Sequence, residues 1–120
     1  MELGNFSLSL TVKDIHKSLS FYEALGFKVI DGGHQNKGFA DTDIMKWRIL
    51  ESASVKIGLF QGMFDNNLLT FNPKNVMGIQ NNLKQHGVTF IKEADENSAD
   101  GFVSAILSDP DGNQIMLDQM

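Results

Sequence analysis

Phe6-Ser7-Leu8-Ser9-Leu10-Thr11-Val12 alternates apolar and polar side chains without a break, and Asp14-Ile15 follows almost at once. A period of two marks a β-strand with one buried and one polar face. Asp14 is a favourable N-cap, and Ile15, Leu19, Tyr22 and Leu25 then recur at helical spacing. Gly26 supplies the left-handed backbone that ends a helix, and Phe27-Lys28-Val29 starts a second strand. The same order returns 61 residues later as Asn67-Leu-Leu-Thr-Phe-Asn-Pro73, the cap Asn75, the stripe Val76, Ile79, Leu83, and the stop Gly87. Two copies of one unit are expected to bury their apolar faces and leave a cleft between them.

About three strands follow each helix. In the first copy they are Phe27 to Ile30, Trp47 to Glu51 and Val55 to Phe60; in the second, Val88 to Lys92, Phe102 to Leu107 and Gln114 to Leu117. Asp109-Pro-Asp-Gly-Asn113 is a strong turn signal, because Pro110 pre-sets one backbone angle and Gly112 tolerates the next. The chain thus reads as one α+β domain over 1–120, built from two βαβββ modules at about 5–61 and about 67–119. They form a curved mixed sheet, with helices on the outer face and a half-barrel cleft on the polar one. The glycine-rich stretch from Asp31 to Lys46 is either a surface loop or a mobile lid. Met63 and Phe64, in the joint between modules, are expected to pack against a second subunit or the cleft mouth.

Composition narrows the function classes. With 120 residues, 42% apolar content and two prolines, the chain suits a folded domain rather than a disordered one. A net charge of −5 argues against nucleic acid or an anionic membrane as partner. The absence of cysteine excludes disulfides, thiolate catalysis and cysteine-based zinc sites. No signal peptide or membrane-length apolar run is present, which points to the cytoplasm. A homodimer is expected at this size.

The doubled βαβββ pattern, with Phe21-Tyr22-Glu-Ala-Leu-Gly-Phe27 on the first helix and Asp109-Pro-Asp-Gly-Asn113 before the last strand, resembles the vicinal-oxygen-chelate superfamily. That superfamily includes glyoxalase I, bleomycin-resistance proteins and extradiol dioxygenases. In its metal-using members, one side chain from the first and one from the last strand of each module hold a divalent ion. The resemblance carries those positions onto Ser7, Lys56, Leu68 and Met116, with Lys56 taken as the counterpart of Met116. None offers imidazole or carboxylate, and lysine brings like charge, so no metal and no other cofactor is expected. His16, His34 and His86 read as solvated surface.

Alternation places Ser7, Ser9, Thr11, Lys56, Gly58, Phe60, Leu68, Thr70, Asn72, Gln114, Met116 and Asp118 on the cleft face. Hydroxyls and amides there can orient a small organic molecule while Phe60, Leu68 and Met116 give apolar contact. Trp47 is either core or a stacking surface for the ligand. The expected ligand-binding set is therefore Ser7, Ser9, Thr11, Trp47, Lys56, Phe60, Leu68, Thr70, Asn72 and Met116. Lys56 is the candidate catalytic group, as base, Schiff-base amine or anion holder, unless it pairs with a carboxylate such as Asp118. The resemblance implies a metal-independent small-molecule binder of the bleomycin-resistance type. The alternative is an enzyme: lactoylglutathione lyase-like, dioxygenase-like, or a metal-free lyase or isomerase using Lys56.

Overall fold

A computed structural model of the chain describes residues 1–119. The first module consists of β1 (Asn5–Thr11), α1 (Ile15–Ala24), β2 (Lys28–Asp31), β3 (Lys46–Ser52) and β4 (Val55–Gln61). The second repeats it with β5 (Leu68–Asn72), α2 (Val76–Gln85), β6 (Phe90–Lys92), β7 (Ser104–Ser108) and β8 (Gln114–Asp118). The fold is α+β with mixed strand pairing. β1 with β4, and β5 with β8, run parallel, while the remaining pairs within each module are antiparallel. Two compact units result, Ser7–Asn67 and the stretch from Leu68 onward together with Met1–Phe6. Asn5 and Phe6 thus belong with the second unit, where the Phe6 ring lies 5.2 Å from that of Phe71.

Each helix covers one sheet face. Ile15, Leu50, Ile57 and Leu59 form the first core, with Leu8, Leu10, Val12, Leu19 and Tyr22 packed around them. In the second, Val76, Ile79, Ala105, Leu107 and Leu117 play the same part, joined by Phe71, Leu83 and Ile115. The two helices begin alike. Asp14 Oδ1 accepts the His16 and Lys17 N–H groups, and Asn75 Oδ1 accepts that of Gly78. They also end alike: Phe27 N–H bonds Tyr22 O and Val88 N–H bonds Leu83 O, with Gly26 and Gly87 at φ +104° and +82° between them.

That shared ending explains two departures from the sequence reading, and local hydrogen bonding explains a third. Leu25 is 62% exposed rather than part of the helical stripe, because the chain reversal brings Phe27 onto Tyr22 instead. Val88 is spent on the helix ending, so β6 starts at Phe90 and not at Val88. Phe102 is held outside β7, its N–H bound to Asp100 Oδ1. Phe6, expected on the buried face, is half exposed.

Each module closes on itself through a glutamine. The Ile15 N–H donates to Gln61 Oε1 at 2.9 Å, and the Val76 N–H donates to Gln119 Oε1 at 3.0 Å. Both N–H groups sit in fully buried residues, where an unpaired donor is costly. Buried Gln80 adds a clamp in the second module, its amide exchanging two hydrogen bonds with the Ala94 backbone. No helix among the described residues is long and apolar enough to cross a membrane.

Replacing Gln61 or Gln119 with Leu is expected to lower stability by about 1–2 kcal/mol each, the cost of orphaning a buried donor. Urea denaturation measures it; a change near zero in both variants would show that the glutamines do not close the modules.

Candidate functional site

Strand register sorts the candidate residues. In the first module Ser9 pairs with Gly58 and Thr11 with Phe60, while Trp47, Ile49 and Glu51 of β3 pair with Phe60, Gly58 and Lys56. All of these project away from the helix-covered core, and Ser7, two residues before Ser9, shares their face. The structure therefore brings Ser7, Ser9, Thr11, Trp47, Lys56 and Phe60 onto one face. Ser7 and Ser9 are 7% and 2% exposed, so the serines end up deeper than the flanking Leu8 and Leu10. Thr11 is exposed, and its hydroxyl donates to the Phe64 carbonyl at 2.9 Å.

Aromatic side chains fill much of this face. A Cβ built on Gly58 would lie 2.4 Å from Phe60 Cε2, so the Phe60 ring covers the glycine. Phe64 of the joint packs on Phe60 at 5.1 Å, which accounts for that apolar residue within its own unit. Trp47 is likewise engaged: Phe39 stands edge-on to it at 5.7 Å, and its Nε1–H donates to the Phe39 carbonyl at 3.1 Å.

The segment between Asp31 and Lys46 is bonded to β3 through Asp41 as well as Phe39. Arg48 makes a two-pronged pair with Asp41, both contacts at 2.8 Å, and the guanidinium holds the Asp41 carboxyl below its ordinary value. Lys56 is half-buried, sits across from Glu51, and forms no ion pair among the described residues.

In the second module Thr70 pairs with Met116, Ile106 with Met116, and Ser104 with Asp118. Leu68, Thr70, Asn72 and Met116 thus share the equivalent face. Leu68, Thr70 and Met116 are all buried, at 2%, 4% and 6% exposure. Asn72 is half-buried and its Nδ2 donates to the Asp118 carbonyl at 3.0 Å. An open cavity of about 720 Å³ lies at the start of α2, between Asn72, Asn75 and Lys74 on one side and Glu2, Gly4 and Asn5 on the other. Of the ten expected ligand-binding residues, only Asn72 lines it. The nearby helix donors of Val76 and Gly78 are already bonded to Gln119 and Asn75.

The registers correct one equivalence between the modules. Thr70 lies beside Met116, but its counterpart Ser9 lies beside Gly58, not Lys56. The last strands are therefore offset by 58 residues, the same offset that relates Gln61 to Gln119. The cause is loop length: 14 residues join β2 to β3 whereas 11 join β6 to β7, and the longer β7–β8 turn recovers only part of the difference. Gly58 becomes the partner of Met116, Lys56 that of Gln114, Phe60 that of Asp118 and Trp47 that of Ser104.

Asp118, placed on the face by alternation and offered as a carboxylate for Lys56, forms no ion pair with that lysine. Its half-buried carboxyl is pushed above the ordinary aspartate range by burial, opposed by the charge of Lys92. Asp109, in contrast, is held below that range by the Asn113 amide and backbone, which assigns it to the turn. All three histidines are exposed, and His86 Nδ1 lies 2.8 Å from the Asn82 carbonyl. Among the described residues no three His, Asp or Glu side chains converge at metal-binding spacing.

Residues 6–117 match the family model of the glyoxalase/bleomycin resistance protein/dioxygenase superfamily. Among solved structures, a member of that superfamily from Vibrio splendidus 12B01 aligns at 16% identity with a TM-score of 0.65, covering 97% of this chain and 98% of that one. A methylmalonyl-CoA epimerase variant from Streptomyces coelicolor, in complex with 2-nitronate-propionyl-CoA, aligns at 15% identity and TM-score 0.68, covering 98% and 95%. A protein from Legionella pneumophila described as an NAD-dependent benzaldehyde dehydrogenase aligns at 16% and 0.72, covering 97% and 99%. At such identities the likeness concerns the fold, and the activities named differ. A search of curated protein sequences finds no significant match.

Gly58→Ala is expected to cost about 1–3 kcal/mol through overpacking against Phe60, and Phe60→Leu in the same chain should recover part of it. A neutral Gly58→Ala would show that the ring does not occupy that space. Asp118 binds protons more tightly folded than unfolded, so its contribution weakens the fold as pH rises through its raised value. Asp118→Asn should therefore raise the melting temperature at pH 7, the gain closing as pH drops below the ordinary aspartate value. A gain that persists unchanged in acid would contradict this.

Proposed function

The chain belongs to the glyoxalase/bleomycin resistance protein/dioxygenase superfamily, and on that premise we propose that it binds a small organic molecule on the helix-free faces of its sheets. No divalent ion takes part at Ser7, Lys56, Leu68 and Met116. The observation that carries this reading is Gly58. The strand position that answers to Met116 has no side chain, and the Phe60 ring lies over it. The donors available are a hydroxyl and a thioether, joined by an amine if Lys56 is counted, and neither set makes a site for a hard or borderline divalent ion. The remaining mixture of hydroxyls, amides and apolar surface suits orientation of an organic ligand. The Streptomyces epimerase, of the same fold, carries a CoA ester in its complex.

The second reading is catalytic and rests on Lys56. A half-buried amine with no ion pair among the described residues is free to hold an anionic substrate or act on it. That reading covers a lactoylglutathione lyase-like or dioxygenase-like activity, or a metal-free lyase or isomerase. A homodimer in the cytoplasm, without nucleic-acid or membrane partners, completes the proposal; the net charge of −5 supports the exclusion of nucleic acid.

Elemental analysis of dialysed protein, combined with a thermal-shift panel of small organic compounds, tests the binding reading. Metal far below one atom per chain, no loss of stability with chelator, and ligand-induced shifts are expected. Zinc, nickel or iron retained at one atom per chain would overturn it. On any substrate found, Lys56→Met should lower turnover at least about tenfold if the amine acts chemically, and leave it unchanged if it does not.

A further inference from the structure

Three polar side chains, Asp118, Ser104 and Lys92, gather on the helix-free face of the second module, and the first module carries aromatics in place of the first two. Ser104 on β7 lies directly opposite Asp118 on β8, and Lys92 on β6 lies opposite Ile106. The Lys92 ammonium donates to Ser104 Oγ at 3.2 Å, which places the cation one strand away from the Asp118 carboxyl. The two charges nevertheless form no ion pair. The Asp118 carboxyl is half-buried and accepts no hydrogen bond from the described residues, while its backbone carbonyl is fixed by Asn72 Nδ2 at 3.0 Å. Ile106 and Met116 form the next pair along the same face and give it an apolar floor.

We propose that Asp118, Ser104 and Lys92 form a binding site for a small zwitterion, an α-amino acid with an apolar side chain or a close analogue. A free cation would be drawn to Asp118 and repelled by Lys92, and a free anion would meet the reverse. A molecule with an ammonium and a carboxylate on adjacent atoms satisfies both groups at once, its carboxylate also within reach of the Ser104 hydroxyl. The Lys92 ammonium reaches across to Ser104, and Asp118 stands opposite that serine, so both charges border the same strand pair and one small molecule can meet both. The apolar side chain of the ligand would then lie over Ile106 and Met116. The fold itself does not require a carboxyl or a hydroxyl here, because the counterparts of Asp118 and Ser104 in the first module are Phe60 and Trp47. Burial that raises the Asp118 proton affinity is consistent with a carboxyl awaiting a partner.

This inference rests on the small-molecule reading above and narrows it to one face and one ligand class. Amide chemical-shift titration of the full chain with L-leucine, 4-methylpentanoate and 3-methylbutylamine tests it. L-Leucine is expected to shift the amides of Ser104, Ile106, Met116 and Asp118, with each single-charge analogue at least about tenfold weaker. Asp118→Asn and Lys92→Gln should each weaken L-leucine binding by about tenfold while the amide dispersion stays that of a folded chain. Equal binding of either analogue, or unchanged L-leucine affinity in both variants, would overturn the assignment. So would the absence of any shift on this face. If other compounds of the thermal-shift panel move Ser9 and Gly58 while L-leucine moves nothing, the zwitterion site falls and small-molecule binding stands. If no compound moves either face, both fall.

Discussion

Parallel pairing of the first and last strand within each module is the constraint on which the rest depends. β1 beside β4, and β5 beside β8, fix which side chains stand together and on which face. Because side chains alternate, a shift of one residue would send Leu8, Leu10, Ile57 and Leu59 to the open side and empty the core under α1. Burial of those residues thus holds the register. The glutamine that leaves each last strand then reaches the first N–H of its helix, which ties the strand end to the helix start at a fixed length. Position along the strand is set by that tie as well as by the sheet.

The same register exposes how far the modules have diverged. Where the second module carries Ser104 and Asp118, the first carries Trp47 and Phe60. Phe39 and Phe64, from the loop and the joint, complete the aromatic layer around that pair. One helix-free face is thereby packed with its own rings, while the other keeps a carboxyl, a hydroxyl and an ammonium near an apolar floor. Function in a fold of this kind lies in such grafted differences rather than in the shared scaffold.

Much of the fold was legible in the chain. Alternation in Phe6 to Val12, the caps Asp14 and Asn75, the stops Gly26 and Gly87, and the Asp109 turn each act through local backbone chemistry, which a sequence displays directly. Sharing of one face by Ser7, Ser9, Thr11, Lys56 and Phe60 followed from the same period. What the chain concealed were effects of length and reach. The Asp109 turn anchored Met116 in the last strand, but the first module has no such motif before β4, so Lys56 was aligned in place of Gly58. Only the hydrogen-bonded register, shortened by the β6–β7 loop, shows the two-residue displacement. The Gln61 and Gln119 closures, and the Phe60 ring over Gly58, are long-range contacts with no local signature. Asp118 carried one available signal, its place on the same face as Met116; its half-buried, unbonded carboxyl did not show in the sequence.

The register of β1 against β4 is the claim from which the equivalence of positions in the two modules is read. Interstrand nuclear Overhauser contacts measure it without any ligand. Ser9 should contact Gly58 and its immediate neighbours, as Thr70 contacts Met116. Contacts from Ser9 to Lys56 instead, a two-residue slip that leaves every side chain on its present face, would restore Lys56 as the partner of Met116 and contradict the account.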